Sequence, residues 1–120
     1  MVAAIIKKEN YYFIAQRNKK KYMGLKWEFP GGKVETGETF EEALEREIKE
    51  ELNIKINILN KIAKETFNDS SINVIIHYYL CSMDNELIEL LEHNQSAWVK
   101  KNEFYKYNFV PGDDKILSLL

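Results

Sequence analysis

The sequence TFEEALEREIKEEL, residues 39–52, predicts the clearest helix of the chain. Thr39, followed three residues later by Glu42, matches a capping box, in which each side chain bonds a backbone N–H near the helix start. Asn53 comes directly after the stretch and tolerates the left-handed backbone conformation in which many helices end. We therefore expect one helix from Thr39 to Leu52, against which the neighbouring segments pack.

This helix places carboxylates where an ordinary surface helix has apolar residues. At about 100° per residue, an apolar stripe forms along one side, and it consists of Phe40, Leu44, Ile48 and Leu52. Glu51 falls within the stripe, Glu47 lies at its edge and Glu50 is close by. The opposite, solvated side is expected to carry Glu42, Glu45, Arg46 and Lys49.

Inward-facing carboxylates need compensation, because ionised groups lose hydration when they leave water and like charges one turn apart repel. A divalent cation would supply it, and Mg²⁺ prefers oxygen ligands of this kind. Neutralisation by Arg46, Lys33 or Lys64 would also explain the pattern, and the helix alone does not decide between the two. The preceding Gly31-Gly32-Lys33 favours an anionic ligand, because glycines allow close backbone approach and N–H groups near a helix start bind anions.

The segments around the helix alternate between β-prone runs and turns. The expected strands are Val2–Ile6, Tyr11–Ile14, Trp27–Phe29, Ile54–Ile62, Ser71–Met83 and Ala97–Val99, with Lys7–Asn10 as a turn. Ser71–Met83 is apolar enough for both of its faces to be covered. One helical turn at Lys101–Tyr105 and a short helix in Pro111–Leu120 complete the order. Because strands and helices do not alternate strictly, we expect an α+β or mixed α/β sandwich in a single domain, residues 1–120.

Composition and charge narrow the class of function. The chain has 120 residues, 45% hydrophobic and 30% charged, as in globular proteins. A net charge of −2 does not favour a nucleic-acid polymer as partner, although a small anion remains compatible. Cys81 is the single cysteine and is expected in the core. No apolar run approaches the ~20 residues that span a bilayer, and the start lacks a secretion signal, so we expect a cytoplasmic protein without a membrane partner.

Residues 32–54 resemble the signature of the Nudix hydrolase family. The matching positions are Gly32, Glu38, Arg46-Glu47-Ile48, Glu50-Glu51 and Asn53-Ile54. The family usually has Gly where this chain has Asn53, a mild departure because Asn also adopts the left-handed conformation. Looser similarity to the MutT-like branch covers Gln16-Arg17, residues 27–33 (WEFPGGK), Glu92-His93, Trp98-Val99 and residues 110–113 (VPGD).

This resemblance implies an α/β/α sandwich with a mixed β-sheet, a requirement for Mg²⁺ or Mn²⁺, and hydrolysis of a nucleoside diphosphate linked to another group. In a MutT-like member the substrate would be a nucleoside triphosphate, including oxidised or modified ones, released as monophosphate and pyrophosphate. The implied metal ligands are Gly31, Glu47, Glu50, Glu51 and Glu92. The implied catalytic set is Glu38, Arg46, Glu47, Glu50 and Glu92, in which ligand and general base stay undistinguished. His93 and His77 are expected to have no catalytic part.

A second group of residues is expected to bind the substrate. Arg17 and Lys33 would contact phosphates, and Gly31 and Gly32 would let the backbone approach. Phe29, Val74 and Ile76 would wall the base. Asp113 would accept hydrogen bonds from base N–H groups, although it could also be a plain helix N-cap. The MutT enzyme for oxidised guanine has Asn at that position, which leaves the preferred base open.

Two alternatives to a triphosphate pyrophosphohydrolase stay open. A Nudix hydrolase could instead cleave ADP-ribose, a sugar nucleotide or a dinucleoside polyphosphate. A Nudix-fold module could also bind a nucleotide without cutting it, although the clustered acids argue against this. Both monomer and homodimer are compatible with the sequence.

Overall fold

The computed structural model describes residues 1–70, 72–84 and 87–120. Within these residues seven strands form one sheet: β1 (Val2–Lys8), β2 (Tyr11–Gln16), β3 (Trp27–Glu28), β4 (Gly31–Gly32), β5 (Ile56–Asn68), β6 (Asn73–Met83) and β7 (Gln95–Lys100). Ser71, the first residue of one expected strand, lies outside the described residues. Every expected strand is present, with ends shifted by up to six residues.

The sheet is mixed, as expected. Its main order is β3-β2-β1-β6-β5, while β4 pairs with β1 and β7 pairs with β2. The central pair β1 and β6 is parallel, and the other pairs are antiparallel. The expected turn over Lys7–Asn10 is wrong in its first half, because Lys7 and Lys8 continue β1 and pair with Tyr12 and Tyr11.

Helix α1 (Phe40–Leu52) begins and ends where the local sequence predicts. Thr39 and Glu42 form the reciprocal capping box, and Asn53 adopts a φ of 53° as the C-cap. The apolar stripe is correct except for its first member. Phe40 keeps 39% of its surface exposed, because in the first turn it packs against the His77 ring, 4.3 Å away between ring centroids, rather than in the core.

Two cores lie on the two faces of the sheet, because side chains alternate along β1. Ala4 and Ile6 face α1, whereas Ala3 and Ile5 face the C-terminal segment. That segment contains a 3₁₀ helix at Lys101–Lys106, the short helix α2 (Asp113–Ile116) and a 3₁₀ turn at Leu117–Leu119. Helices on both faces of a mixed sheet confirm the expected sandwich.

The expected burial of Cys81 is confirmed, whereas the expected burial of both faces of β6 is wrong at one position. Cys81 lies in the core beneath α1, and burial raises the pKa of its thiol to about 12. The expectation that both faces of β6 are covered is wrong at Ile75, which is 45% exposed. In the part of the chain that the structure describes, no helix has the length and apolarity needed to cross a bilayer.

Candidate active site

One cavity of about 780 Å³ brings most of the expected site residues together. The expected residues in its wall are Arg17, Phe29, Gly31, Gly32, Lys33, Glu47, Glu51, Val74, Ile76, Glu92 and Asp113. Glu38, Arg46 and Glu50 do not line the cavity, and they lie beside it on α1 and the preceding loop. The cavity therefore has an acidic end near α1 and an apolar end near Asp113.

Glu51 is the most deeply placed carboxylate of the acidic end. Its side chain is 5% exposed, and its buried Oε2 has no hydrogen-bond partner among the residues that the structure describes. Burial, together with the nearby carboxylates of Glu28, Glu47 and Glu92, raises the pKa of Glu51 to about 9. An unpaired carboxylate in this position is costly unless a proton or a cation neutralises it.

Glu28 and His93 complete the acidic end, and sequence reasoning missed both. His93 Nε2 is hydrogen-bonded to Glu28 Oε2 at 2.8 Å and lies 3.8 Å from Glu51 Oε1. The His93 side chain is only 4% exposed and lies in the cavity wall, while the expectation that it has no catalytic part stays a prediction. Along the chain, Glu28 stands between Trp27 and Phe29. This alternation was the one local signal that the Glu28 carboxylate faces away from the two aromatic side chains.

Opposing effects act on the Glu28 carboxyl. Burial raises its pKa, but hydrogen bonds from His93 and Arg17 outweigh burial and leave the pKa lowered. The Arg17 bond runs from Nη1 to Glu28 Oε1 at 2.8 Å, while Arg17 Nε donates to the Tyr22 carbonyl, also at 2.8 Å. Glu28 is therefore an ionised group held in place from two sides.

Arg46 connects the loop before the helix to the acidic end. Its Nε and Nη2 donate to the two carboxylate oxygens of Glu38 at 2.7 and 3.0 Å, and Nη1 donates to Glu47 at 3.0 Å. Nη2 also donates to the Lys33 carbonyl at 3.0 Å. The expectation that Arg46 lies on the solvated side is wrong, because its long side chain folds back across the helix surface.

Two of the helix carboxylates differ in exposure. Glu47 lines the cavity, and burial raises its pKa despite the opposing hydrogen bond from Arg46. Glu50 remains 54% exposed and lies 3.4 Å from Arg46 Nη1. Of the two, Glu47 is therefore the one that faces the cavity.

The two glycines of β4 allow three chain segments to meet. A Cβ on Gly31 would lie 2.0 Å from the carbonyl oxygen of Val2, and a Cβ on Gly32 would lie 2.3 Å from Cδ of Glu47. At Gly31 the clash is with backbone atoms, so glycine is required there for β4 to pair with β1. At Gly32 an added Cβ would instead displace the Glu47 carboxylate.

The apolar end of the cavity surrounds one buried carboxylate. Phe29, Val74 and Ile76 lie in its wall. Asp113 Oδ2 accepts the backbone N–H of Phe29 at 2.9 Å, and Oδ1 accepts the Tyr78 hydroxyl at 2.5 Å. Burial raises the pKa of Asp113 to about 7, although these two hydrogen bonds act in the opposite direction. The alternative role as a helix N-cap is wrong, because Gly112 is the N-cap of α2.

A divalent metal ion fits the acidic end. Glu28, Glu51 and His93 each place a ligand atom within 4.8 Å of the others, and Glu51 Oε2 lacks a partner. Carboxylate oxygens are the ligands that Mg²⁺ and Mn²⁺ prefer, and two of the three ligand atoms are of this kind. The donor set is thus compatible with a hard divalent cation.

Comparison with known proteins gives the family. A model of the NUDIX domain matches residues 1–120. The chain is 31% identical over 118 residues to the CTP pyrophosphohydrolase of Escherichia coli (strain K12), covering 98% of this chain and 87% of that protein. It is 43% identical over 88 residues to the 8-oxo-dGTP diphosphatase of Proteus vulgaris, covering 71% and 77%.

A solved structure agrees with the sequence relatives. The solution NMR structure of the protein MutT, a Nudix hydrolase from methicillin-resistant Staphylococcus aureus 252, matches with a TM-score of 0.78 at 37% identity. The match covers 98% of this chain and 91% of that chain. With the whole chain matched in sequence and in fold, the protein belongs to the Nudix family.

Proposed function

We propose that the protein is a metal-dependent nucleoside triphosphate pyrophosphohydrolase, which releases a nucleoside monophosphate and pyrophosphate. A single cavity with an acidic end and an apolar end supports this function best. A nucleotide has the same division, into a phosphate chain that brings metal ions and a flat base that prefers apolar walls. Relatives described as a CTP pyrophosphohydrolase and an 8-oxo-dGTP diphosphatase support the same reaction class, so oxidised or modified nucleotides belong to the proposed substrates.

In this proposal Mg²⁺, or Mn²⁺ in its place, binds at the acidic end. Glu51 would hold it, with Glu28 and His93 adjacent. The family resemblance adds Gly31, Glu50 and Glu92 as further ligands, and Glu47 as either a ligand or the general base. The buried, unpartnered Oε2 of Glu51 supports the assignment, because a cation would satisfy that atom. When bound, the ion lowers the pKa of coordinated water and screens the phosphate oxygens.

The protein's own groups would orient the water and remove its proton. The water oxygen would bond to Pα or Pβ, the P–O bond that bridges these two atoms would break so that nucleoside monophosphate and pyrophosphate separate, and the water proton would pass to a carboxylate. We assign the proton acceptor to Glu47, because it faces the cavity and Arg46 fixes its orientation. Glu38 contributes by holding Arg46 through two hydrogen bonds.

Substrate binding is divided between the two ends of the cavity. Lys33 and Arg17 line the cavity and would contact phosphate oxygens, and Arg17 would do so while bonded to Glu28. Phe29, Val74 and Ile76 would pack on the base. Asp113 would accept a hydrogen bond from a base N–H group, since a carboxylate oxygen retains lone pairs after one bond.

A nucleotide panel tests the function. The protein is incubated with Mg²⁺ and CTP, 8-oxo-dGTP, 5-methyl-dCTP, dATP, ADP-ribose or a dinucleoside polyphosphate, and nucleoside monophosphate, pyrophosphate and orthophosphate are detected separately. We expect pyrophosphate and monophosphate in equal amounts, and no turnover in EDTA. Turnover restricted to ADP-ribose or a dinucleoside polyphosphate would replace the proposed substrate class, and binding without turnover would overturn the enzymatic function.

A pair of variants on α1 separates the site from the helix. Glu51→Gln removes the buried carboxylate and should abolish turnover. Glu45→Gln makes the same chemical change on the exposed face of α1 and should retain it. Equal activities of the two variants would contradict the assignment of the metal to Glu51.

The setting of this activity follows from its substrates. We place the enzyme in the cytoplasm, acting on free nucleotides rather than on nucleic-acid polymers or membranes, as a monomer or a homodimer. Light scattering at assay concentration distinguishes the two oligomeric states.

A further inference from the structure

Tyr78 has a buried hydroxyl that the proposed chemistry does not use. It lies in β6, is fully buried, and its hydroxyl donates to Asp113 Oδ1 at 2.5 Å. Building on the proposed pyrophosphohydrolase function, we propose that Tyr78 is a positioning residue that keeps Asp113 a hydrogen-bond acceptor, and that the enzyme thereby selects nucleotides whose base presents an exocyclic amino group.

The Asp113 side chain accepts a hydrogen bond at each of its two oxygens. The Phe29 N–H reaches Oδ2 and the Tyr78 hydroxyl reaches Oδ1, so the carboxylate plane is held at both oxygens. A carboxylate in this state has acceptor lone pairs left and no proton to donate. Asp113 lines the cavity, so the free lone pairs are available to a base.

The surroundings would otherwise favour a neutral acid. Burial raises the pKa of Asp113, and the carboxylates of Glu28 and Asp114 raise it further, whereas the Tyr78 and Phe29 donors lower it. Burial and the neighbouring Asp113 carboxylate raise the pKa of Tyr78, and the charges of Glu65 and Asp114 add to this, so the donor proton stays on Tyr78. Loss of that donor would shift Asp113 towards the protonated form, which can donate to a base carbonyl.

The two states of Asp113 prefer different bases. Cytosine and adenine present an amino N–H where uracil and hypoxanthine present a carbonyl oxygen. An ionised Asp113 pairs with the amino group and repels the carbonyl. A site that leaves a buried polar group unpaired rejects the wrong ligand strongly, so the ratio of kcat/KM between each amino base and its oxo counterpart reports the state of Asp113.

Tyr78→Phe tests the proposal, with Tyr79→Phe as the matched control. Tyr79 is the next residue of β6, but it packs in the other core, and its hydroxyl bonds Glu41. We measure kcat/KM with Mg²⁺ at pH 8, above the pKa of about 7 of Asp113 in the wild type, for CTP against UTP and for ATP against ITP. In Tyr78→Phe the amino-to-oxo ratio should fall by about tenfold, the effect of one hydrogen bond to a charged group, through KM rather than kcat. Tyr79→Phe should keep the wild-type ratio.

A second variant keeps the test decisive if Tyr78→Phe does not fold. Asp113→Asn carries both a donor and an acceptor, so its ratio should fall towards one, and adding Tyr78→Phe to it should change the ratio little. The role of Tyr78 would be overturned if Tyr78→Phe or Asp113→Asn kept the wild-type amino-to-oxo ratio of kcat/KM. It would also be overturned if Tyr78→Phe changed this ratio equally in the wild type and in Asp113→Asn. In each of these cases continued release of pyrophosphate leaves the proposed function standing, whereas wild-type protein that cleaves no triphosphate would defeat the function itself.

Discussion

Gly32 and Glu47 are in direct contact, and a Cβ on Gly32 would lie 2.3 Å from Cδ of the Glu47 side chain. The contact joins strand β4 to helix α1 at the acidic end of the cavity. Glu47 is held there from the other side by Arg46, 3.0 Å away. The position of this carboxylate therefore depends on the absence of a side chain at position 32.

Gly32→Ala should displace the Glu47 carboxylate, since the added methyl group occupies its place. We expect kcat/KM to fall by about a hundredfold, the usual effect of a displacement near 1 Å in an active site. Gly37→Ala is the control, because it strains a φ of 88° without meeting any atom within 4 Å. It should cost stability and leave turnover intact. Full activity in Gly32→Ala would show that Glu47 does not need its present position.

Glu51→Gln should stabilise the metal-free protein. The folded pKa of Glu51, about 9, lies above its ordinary value of 4.5. Its favourable contribution is therefore complete below about pH 4.5 and is lost as pH rises towards 9. At pH 7, urea unfolding in EDTA should show a gain of roughly 1–3 kcal/mol for the variant.

Added Mg²⁺ should make the wild type more stable than Glu51→Gln. A bound ion stabilises the wild type by mass action, whereas the variant has lost the carboxylate that would bind the ion. Lower stability of Glu51→Gln in EDTA, or equal stabilisation of both proteins by Mg²⁺, would contradict the site.

Arg46→Lys should reduce kcat/KM by about ten- to a hundredfold, since the ammonium group cannot bond both oxygens of Glu38 and also reach Glu47. The circular dichroism spectrum should not change. Lys49→Ala removes a cation from the exposed face of the same helix and should leave kcat/KM unaltered. A wild-type rate in Arg46→Lys would show that Arg46 acts only through its positive charge.

Asp113 should make stability depend on pH near neutrality. Its folded pKa of about 7 lies above the ordinary 3.8. The carboxyl group therefore contributes most to stability below about pH 4, and that contribution is lost as pH rises through 7. Between pH 5 and 8, the unfolding free energy of wild type should fall relative to that of Asp113→Asn. Parallel pH profiles of the two proteins would place the Asp113 pKa at its ordinary value.

Local spacing accounts for what could be predicted of the fold. The capping box and the left-handed Asn53 depend on neighbours within one helical turn, and both are present. The expected strand at Val2–Ile6 is also present, within β1. The errors at Phe40, Ile75 and Arg46 have a common reason: periodicity gives the direction of a side chain, but not whether another element covers it or how far a long side chain folds back.

The sequence by itself determined helix α1, the inward placement of Glu47 and Glu51 upon it, and the glycines opposite them, because each depends on residues close together in the chain. Only the tertiary structure decided which distant groups complete the site. His93 meets Glu28 across 65 positions, and Tyr78 meets Asp113 across 35. Such pairs are set by strand register and by the path of the connecting segments, and no short-range pattern specifies them.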